Sequence, residues 1–182
     1  MAHRYLIALG SNRRHHRFGR PEAVLEAALT ALKQEGVKLK KIAPMLRSAP
    51  LGPSLRRYAN GAALVSSKLD PHELFELLKR VERAFGRRAG GRRWGTRVLD
   101  LDIVLWNGGA WASSGLIVPH VSFRERNFVL RPATAIAPRW RDPLSGLTLR
   151  QLHSRLTRAT RLPKRDGPLA RARSSVGRAA DF

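Results

Sequence analysis

One segment, residues 93–105, constrains the fold more than any other part of the chain; it reads Arg-Trp-Gly-Thr-Arg-Val-Leu-Asp-Leu-Asp-Ile-Val-Leu. Its second half alternates like a buried β-strand, so Asp100 and Asp102 are expected on one face, roughly 6 to 7 Å apart along the strand. The apolar residues expected on the opposite face are Leu99, Leu101, Ile103 and Leu105. Because burying a carboxylate costs free energy unless a cation meets it, the pair of aspartates indicates a metal site.

The two carboxylates suit Mg²⁺, which prefers oxygen ligands and often holds nucleotide phosphates through one or two carboxylates plus water. Just before the strand lies a run of arginines, which suit bidentate phosphate contacts, and of glycines, which let the chain bend over a ligand. These residues are Arg87, Arg88, Arg92, Arg93 and Arg97, with Gly86, Gly90, Gly91 and Gly95. Together the two features indicate phosphoryl transfer. Taken singly, they are more typical of a solvated strand face and of a surface loop or RNA-binding tract.

The composition fits a single globular domain, with 182 residues of which 43% are hydrophobic. The chain has no cysteine, which excludes disulfides, thiolate metal sites and cysteine nucleophiles. The apolar run at the N-terminus is too short for a signal peptide or a membrane span, so a cytoplasmic protein is expected. The formal charge of +22 makes nucleic acid a candidate for non-specific binding, but this spread of charge equally suits an anionic small molecule.

Apolar spacing and turn residues predict the order β-α-β-β-α-β for the first 105 residues. The predicted strands cover residues 5–9, 38–47, 60–69 and 99–105, and the predicted helices follow Pro21 and Asp70. The second helix has the clearest signal, because Asp70 suits the N-cap, Pro71 suits the first helical position and Glu73 completes a capping box. This order is that of a ferredoxin-like α+β fold, an antiparallel sheet with helices on one face and the other face free for a site.

The remainder of the chain is less regular. The turn at residues 107–109 predicts a short hairpin, and helices are expected near residues 123–131 and 148–156. From about residue 160 the sequence is basic and aperiodic, which predicts a disordered tail. We therefore expect a folded domain over residues 1–160 and a tail over residues 161–182. Residues 173–182 resemble the start of a transfer-RNA gene read as protein, which suggests a reading-frame extension.

The motif at residues 93–103 resembles the signature of the 6-hydroxymethyl-7,8-dihydropterin pyrophosphokinases of folate biosynthesis. Further motifs of this family stand in the same order along the chain and make the resemblance specific. They are Ala-Leu-Gly-Ser-Asn at 8–12, Pro-Leu-Gly at 50–52, Tyr-Ala-Asn at 58–60, Glu82, Arg87, Val-Pro-His at 118–120 and Arg-Asn-Phe-Val-Leu-Arg-Pro at 126–132. The resemblance covers residues 4–155.

The resemblance implies Mg²⁺-dependent transfer of pyrophosphate from ATP to the hydroxymethyl oxygen of the dihydropterin, which yields AMP. It implies that Asp100 and Asp102 bind two Mg²⁺ ions and that Arg87 and Arg97 engage the triphosphate, these four being the catalytic residues. The residues expected to contact ATP are Glu82, Arg93, Trp94, Ile103, His120 and Arg126. The residues expected to bind the pterin are Ser48, Leu51, Tyr58, Asn60, Trp94, Asp100 and Phe128, with Tyr58 and Phe128 on either side of the ring. A monomer is expected.

Several positions depart from the family pattern, and we expect altered nucleotide affinity from them. They are Ala49 in the second loop, Lys79 where glutamine is usual, Ala89 where arginine is common and Val121 where an aromatic residue often follows the histidine. Three alternatives stay open: an RNA-binding module of similar fold, another metal-dependent nucleotidyl or phosphoryl transferase, and a catalytically weakened relative. An RNA-binding module of this type needs aromatic residues on its central strands, whereas the predicted strands offer mainly aliphatic and acidic ones.

Overall fold

The computed structural model describes residues 1–48, 58–86 and 98–158. Its strands are β1 (His3–Ser11), β2 (Lys38–Ile42), β3 (Leu46–Ser48), β4 (Tyr58–Ser67), β5 (Asp100–Trp106), β6 (Trp111–Ser113) and β7 (Leu116–Val118). Its helices are α1 (Pro21–Gln34), α2 (Pro71–Ala84), α3 (Asn127–Ile136) and α4 (Leu149–Thr157), with a short 3-10 helix at Phe123–Glu125. Within these three ranges every helix is too short or too polar to span a membrane.

The main sheet is antiparallel, with the order β2-β4-β1-β5, and β3 pairs with the remaining part of β4. This topology confirms the predicted β-α-β-β-α-β order. The expectation of one continuous strand over residues 38–47 is wrong, because β2 and β3 are separate strands. Pro44 lies between them and has no N–H group to donate to a sheet.

The first face of the sheet packs against α1 and α2. Both helices begin at a proline, whose fixed φ suits the first turn. The predicted capping box of α2 is present: the Glu73 amide donates to Asp70 Oδ1, and the Asp70 amide donates to Glu73 Oε2, both at 2.8 Å. The buried side chains that β5 contributes to this first core are Leu101 and Ile103.

A β-bulge in β5 changes the face that its later residues occupy. Leu6 of β1 pairs with Leu105 while the next residue, Ile7, pairs with Ile103, so Val104 is the extra residue. Val104 and Leu105 consequently both pack in a second core. The expectation that Leu105 shares a face with Ile103 is therefore wrong, because strict alternation holds only in a regular strand.

The second face of the sheet is divided between an apolar end and a polar end. At the apolar end, Leu6, Val104 and Leu105 form the second core with the 3-10 helix, α3 and α4. At the other end the same face carries Gly10 and Asp100. The expectation that this face stays free of helices is wrong, because the two C-terminal helices cover one end of it.

The C-terminal elements are of the types expected from the sequence, but their residue ranges differ from the expected ones. The short hairpin predicted after the turn at residues 107–109 is present as β6 and β7. The helix expected over residues 123–131 is divided into the 3-10 helix and α3, which continues to Ile136. Helix α4 starts after a Thr148 N-cap with a capping box to Gln151. Residues 159–182, with the predicted tail and the domain boundary, lie outside the described residues.

Candidate active site

Three neighbouring strands bring Asn60, Gly10 and Asp100 into one row across the second face. Gly10 of β1 pairs with Asn60 of β4 on one side and with Asp100 of β5 on the other. A Cβ atom placed on Gly10 would lie 3.7 Å from Asn60 Oδ1 and 3.8 Å from Asp100 Cβ. Glycine therefore keeps a side chain from standing between the amide and the carboxylate. Sequence reasoning gave Gly10 no role in the site, although a glycine inside a strand signals close approach of another group.

Asp102 lies in the next row of the same face, opposite Ala8. Its side chain is 32% exposed and lies between two basic groups: His120 Nε2 at 4.0 Å from Oδ2, and Lys79 Nζ at 3.8 Å from Oδ1. The predicted sharing of one strand face by Asp100 and Asp102 is consistent with this register. Within the described ranges, no three histidine or acidic side chains come together as a metal cage.

The bulge in β5 helps to position His120. The carbonyl oxygen of Val104 accepts a 3.1 Å hydrogen bond from the His120 amide, which holds this residue beside Asp102. The Ser122 amide points to His120 Nδ1 at 3.3 Å, so Nδ1 is the acceptor and the proton of the neutral ring lies on Nε2, towards Asp102. Burial lowers the pKa of His120, and Arg126 reinforces that effect while Asp102 opposes it.

A buried pair of residues on α2 holds the backbone between the two aspartates. The Leu101 amide donates to Glu82 Oε1 at 2.7 Å, and Lys79 Nζ donates to the Leu101 carbonyl at 3.1 Å and to Glu82 Oε1 at 2.8 Å. The Glu82 side chain is fully buried. In the described sheet β5 pairs with β1 alone, so the two side chains occupy its outer edge. We call this arrangement the β5 edge clamp. The sequence predicts neither the clamp nor the participation of Lys79 in it.

The expected pterin residues fall into two groups. Pairing of β3 with β4 sets Ser48 opposite Tyr58, and Asn60 Nδ2 donates a 2.7 Å hydrogen bond to Ser48 Oγ. Phe128 lies in the first turn of α3, a helix that packs against β3 and β4. Arg126 Cζ lies 5.9 Å from the centroid of the Phe128 ring, within the range of a cation–π contact. The pterin contacts of these residues stay predictions.

The segment between His120 and Arg126 is fixed by a second buried carboxylate. Arg124 binds Asp142 through two hydrogen bonds, from Nε at 2.7 Å and from the terminal Nη2 at 2.6 Å. The Asp142 side chain is fully buried. Burial by itself raises the pKa of Asp142, but the hydrogen bonds from Arg124 and Ser145 hold it below its usual value. This bidentate pair ties the 3-10 helix to the chain before α4.

The remaining predicted site residues are either buried or outside the described ranges. The Ile103 side chain is 2% exposed and lies in the first core. Only the backbone of Ile103 could therefore make the contact with ATP that the sequence predicts. Val121, the position where an aromatic residue is common in the family, is 63% exposed. Five predicted site residues lie outside the described ranges, as do the departures at Ala49 and Ala89: Leu51, Arg87, Arg93, Trp94 and Arg97.

The fold and the site define an α+β domain with paired carboxylates beside an amide on one sheet face. The chain belongs to the 7,8-dihydro-6-hydroxymethylpterin-pyrophosphokinase family, whose model matches residues 6–138. The family predicted from the sequence is therefore confirmed, and the family is one of pyrophosphokinase enzymes.

Individual relatives agree with this assignment. Two relatives are named 2-amino-4-hydroxy-6-hydroxymethyldihydropteridine pyrophosphokinase. The protein of Synechocystis is 37% identical to the chain over 130 residues, and the protein of Pseudomonas aeruginosa is 37% identical to it over 145 residues. These alignments cover 71% and 79% of the chain, and 64% and 86% of the relatives. The Plasmodium falciparum HPPK-DHPS structure shares the fold, with a TM-score of 0.67 at 13% identity over 85% of the chain and 41% of that protein.

Proposed function

We propose that the chain transfers pyrophosphate from ATP to 6-hydroxymethyl-7,8-dihydropterin, giving the pterin diphosphate and AMP in folate biosynthesis. The observation that carries the proposal is the row of Asn60, Gly10 and Asp100. This row sets an amide suited to the polar edge of a heterocycle beside a carboxylate suited to a cation. Membership of the pyrophosphokinase family supports the same reaction.

The pterin side of the proposal rests on Asn60 and its neighbours. Asn60 is 5% exposed, and its hydrogen bond to Ser48 fixes the orientation of the amide with Oδ1 towards Gly10. A fixed amide can read the donors and acceptors on the edge of a planar ring, and aromatic side chains can hold its faces. We assign the ring faces to Tyr58 and Phe128, and further edge contacts to the backbone near Ser48 and Leu51.

The phosphate side of the proposal rests on the two aspartates. Asp100 and Asp102 would hold two Mg²⁺ ions, and their donor set fits, because Mg²⁺ is commonly held by one or two carboxylates plus phosphate and water. When bound, such ions supply neutralisation of the charge on the transferring phosphoryl group. The chain itself fixes the carboxylates: the β5 edge clamp holds the intervening backbone, and His120 lies beside Asp102.

The ATP contacts complete the proposal. His120 and Arg126 flank the segment held by the Arg124–Asp142 pair, which keeps their backbone in place for an anionic ligand. By family resemblance we add Arg87 and Arg97 on the triphosphate. The other ATP contacts assigned in this way are Arg93, Trp94 and the backbone of Ile103. The expected contact of Glu82 with ATP does not fit its fully buried side chain, and we assign this residue to the β5 edge clamp instead.

The test is an AMP assay with the purified full chain. ATP, MgCl₂ and 6-hydroxymethyl-7,8-dihydropterin are supplied together, and AMP and the pterin diphosphate are measured by chromatography. We expect equal amounts of the two products, and formation of AMP only when the pterin is present.

Matched reactions lack the pterin, lack Mg²⁺, or replace the substrate with a pterin that has a methyl group instead of the hydroxymethyl group. AMP formation without the hydroxymethyl acceptor would indicate another phosphoryl or nucleotidyl transferase. No AMP under any condition would indicate a catalytically silent relative.

A further inference from the structure

The Lys79 ammonium group has an unusual set of neighbours, because it touches the outer edge of β5 and also approaches one of the two site carboxylates. It bonds to Glu82 and to the Leu101 carbonyl, and its nitrogen lies 3.8 Å from Asp102 Oδ1. The Lys79 side chain is only 19% exposed, and its nitrogen also lies 5.2 Å from the centroid of the Phe75 ring. A fixed, largely desolvated cation therefore stands beside Asp102.

The neighbours of Lys79 hold it in this position. A fully buried Glu82 carboxylate needs a cationic partner, and Lys79, three residues earlier on α2, is within hydrogen-bonding distance. An ammonium group has three donors. Two of them are satisfied by Glu82 and Leu101, and 3.8 Å to Asp102 is too long for a direct hydrogen bond. The effect of Lys79 on Asp102 is therefore electrostatic.

We infer that Lys79 is a positioning residue that also acts as a resident cation, and that it weakens binding of a free divalent ion at Asp102. This inference rests on the proposed function, since it takes Asp102 as a metal-binding carboxylate. A positive charge within about 4 Å of the carboxylate repels an incoming divalent ion. The triphosphate of a nucleotide offsets that repulsion, so the ion binds well only together with the nucleotide. Lys79 thereby favours entry of metal and nucleotide as one complex.

The test measures the affinity of Mn²⁺ for the full chain without nucleotide, by electron paramagnetic resonance of the free ion. Lys79→Gln removes the charge and keeps a polar group of similar reach, so we expect Mn²⁺ to bind roughly three- to tenfold more tightly. Lys79→Arg keeps the charge and is expected to remain within about twofold of the wild type. With a non-hydrolysable ATP analogue present, the gain in Lys79→Gln is expected to shrink.

Arg80→Gln is the matched control. It removes one positive charge from the next position of α2, where the side chain is 57% exposed and pairs with Glu35. A purely structural role for Lys79 predicts the opposite result, because a loosened site binds metal less well. Unchanged or weaker Mn²⁺ binding by Lys79→Gln, or an equal gain in Arg80→Gln, would overturn the inference.

One further variant, Asp102→Asn, separates a failure of the proposed function from a failure of the role given to Lys79. Asp102→Asn is expected to lose the Mn²⁺ site; if it binds Mn²⁺ like the wild type, the metal assignment in the proposed function fails. If Asp102→Asn loses the site and Lys79→Gln does not tighten it, only the role of Lys79 fails. Thermal unfolding checks each variant, and Lys79→Met serves for the same comparison if Lys79→Gln does not fold.

Discussion

Leu101 and Asp102 are neighbours in β5, yet one side chain lies in the first core and the other lies in the candidate active site. Leu101 enters the first core beneath α1 and α2, where apolar side chains continue along the whole sheet. Asp102 points to the second face, of which only one end is apolar and packed by α3 and α4. One strand therefore contributes to stability through one face and to the candidate active site through the other. Substitutions at Leu101 and at Asp102 should therefore change stability and activity separately.

The divided second face also bears on the RNA-binding alternative. An RNA-binding module of this topology stacks bases on the exposed face of its sheet. In this chain α3 and α4 occupy one end of that face, and the other end presents Asp100 and Asp102, which repel phosphate in the absence of a cation. The arrangement therefore favours a small anionic ligand with its own cations over a nucleic-acid strand.

The largest effect is expected from Asp102→Asn, which changes the polar face alone. Removal of a group that stabilises charge in a phosphoryl-transfer site is expected to cost roughly 100- to 1000-fold in turnover. The side chain is partly exposed, and asparagine has nearly the same shape, so the free energy of unfolding is expected to change by less than about 1 kcal/mol. Initial rates of AMP formation and urea unfolding curves measure the two quantities.

Glu26→Gln, an exposed position of α1, is the matched control for loss of one carboxylate. It is expected to leave both quantities at wild-type values. Turnover of Asp102→Asn within tenfold of the wild type would contradict a metal-binding role for Asp102.

The next effect is expected from Leu101→Ala, on the opposite face of the same strand. Truncation of a fully buried leucine leaves a cavity and costs about 2–5 kcal/mol in the free energy of unfolding. The backbone bonds of Leu101 to Glu82 and Lys79 do not involve its side chain, so the rate per folded molecule should fall only a few-fold. Urea unfolding curves give the free energy of unfolding, and rates of AMP formation are measured under conditions where the variant is fully folded.

Leu144→Ala makes the same truncation at a side chain that is 67% exposed, and it is expected to change neither quantity. A loss of activity in Leu101→Ala as large as that of Asp102→Asn, with the protein still folded, would mean that the two faces are not separable.

The parts of the fold predicted from the sequence are those with local causes. The capping box at Asp70 and Glu73 involves residues three apart, and alternation over Asp100, Leu101 and Asp102 is a property of any regular strand. Pro44 carried a readable signal for the break between β2 and β3. Its missing N–H group argues against one continuous strand over residues 38–47.

The parts that could not be predicted depend on contacts between distant residues. The bulge at Val104 follows from pairing with β1, about a hundred residues earlier, and no local pattern marks it. The β5 edge clamp joins Glu82 to the backbone of Leu101, which any residue type would present. Strand alternation indicates Asp100 and Asp102, and the family resemblance implies Ser48 and Asn60, whereas the intervening Gly10 required the strand register.

The smallest effect, and the sharpest comparison of the two faces, is expected from Gly10→Ala set against Gly61→Ala. These glycines lie on neighbouring strands, but a Cβ on Gly61 would lie 2.7 Å from Met45 Sδ on the side of the first core. Gly10→Ala meets only ordinary contact distances in the described structure, so stability should change by less than about 0.5 kcal/mol. Its methyl group would stand between Asn60 and Asp100, and we expect the pterin KM to rise roughly five- to tenfold.

Gly61→Ala should behave in the opposite way, because Met45 must move to accept the methyl group. We expect it to lose about 1–2 kcal/mol in the free energy of unfolding, with the pterin KM unchanged. Pterin titrations at saturating ATP and urea unfolding of both variants give the two readings side by side. If Gly10→Ala leaves the KM at the wild-type value while Gly61→Ala raises it, the substrate lies on the first face, and the pterin contacts assigned to Asn60 are wrong.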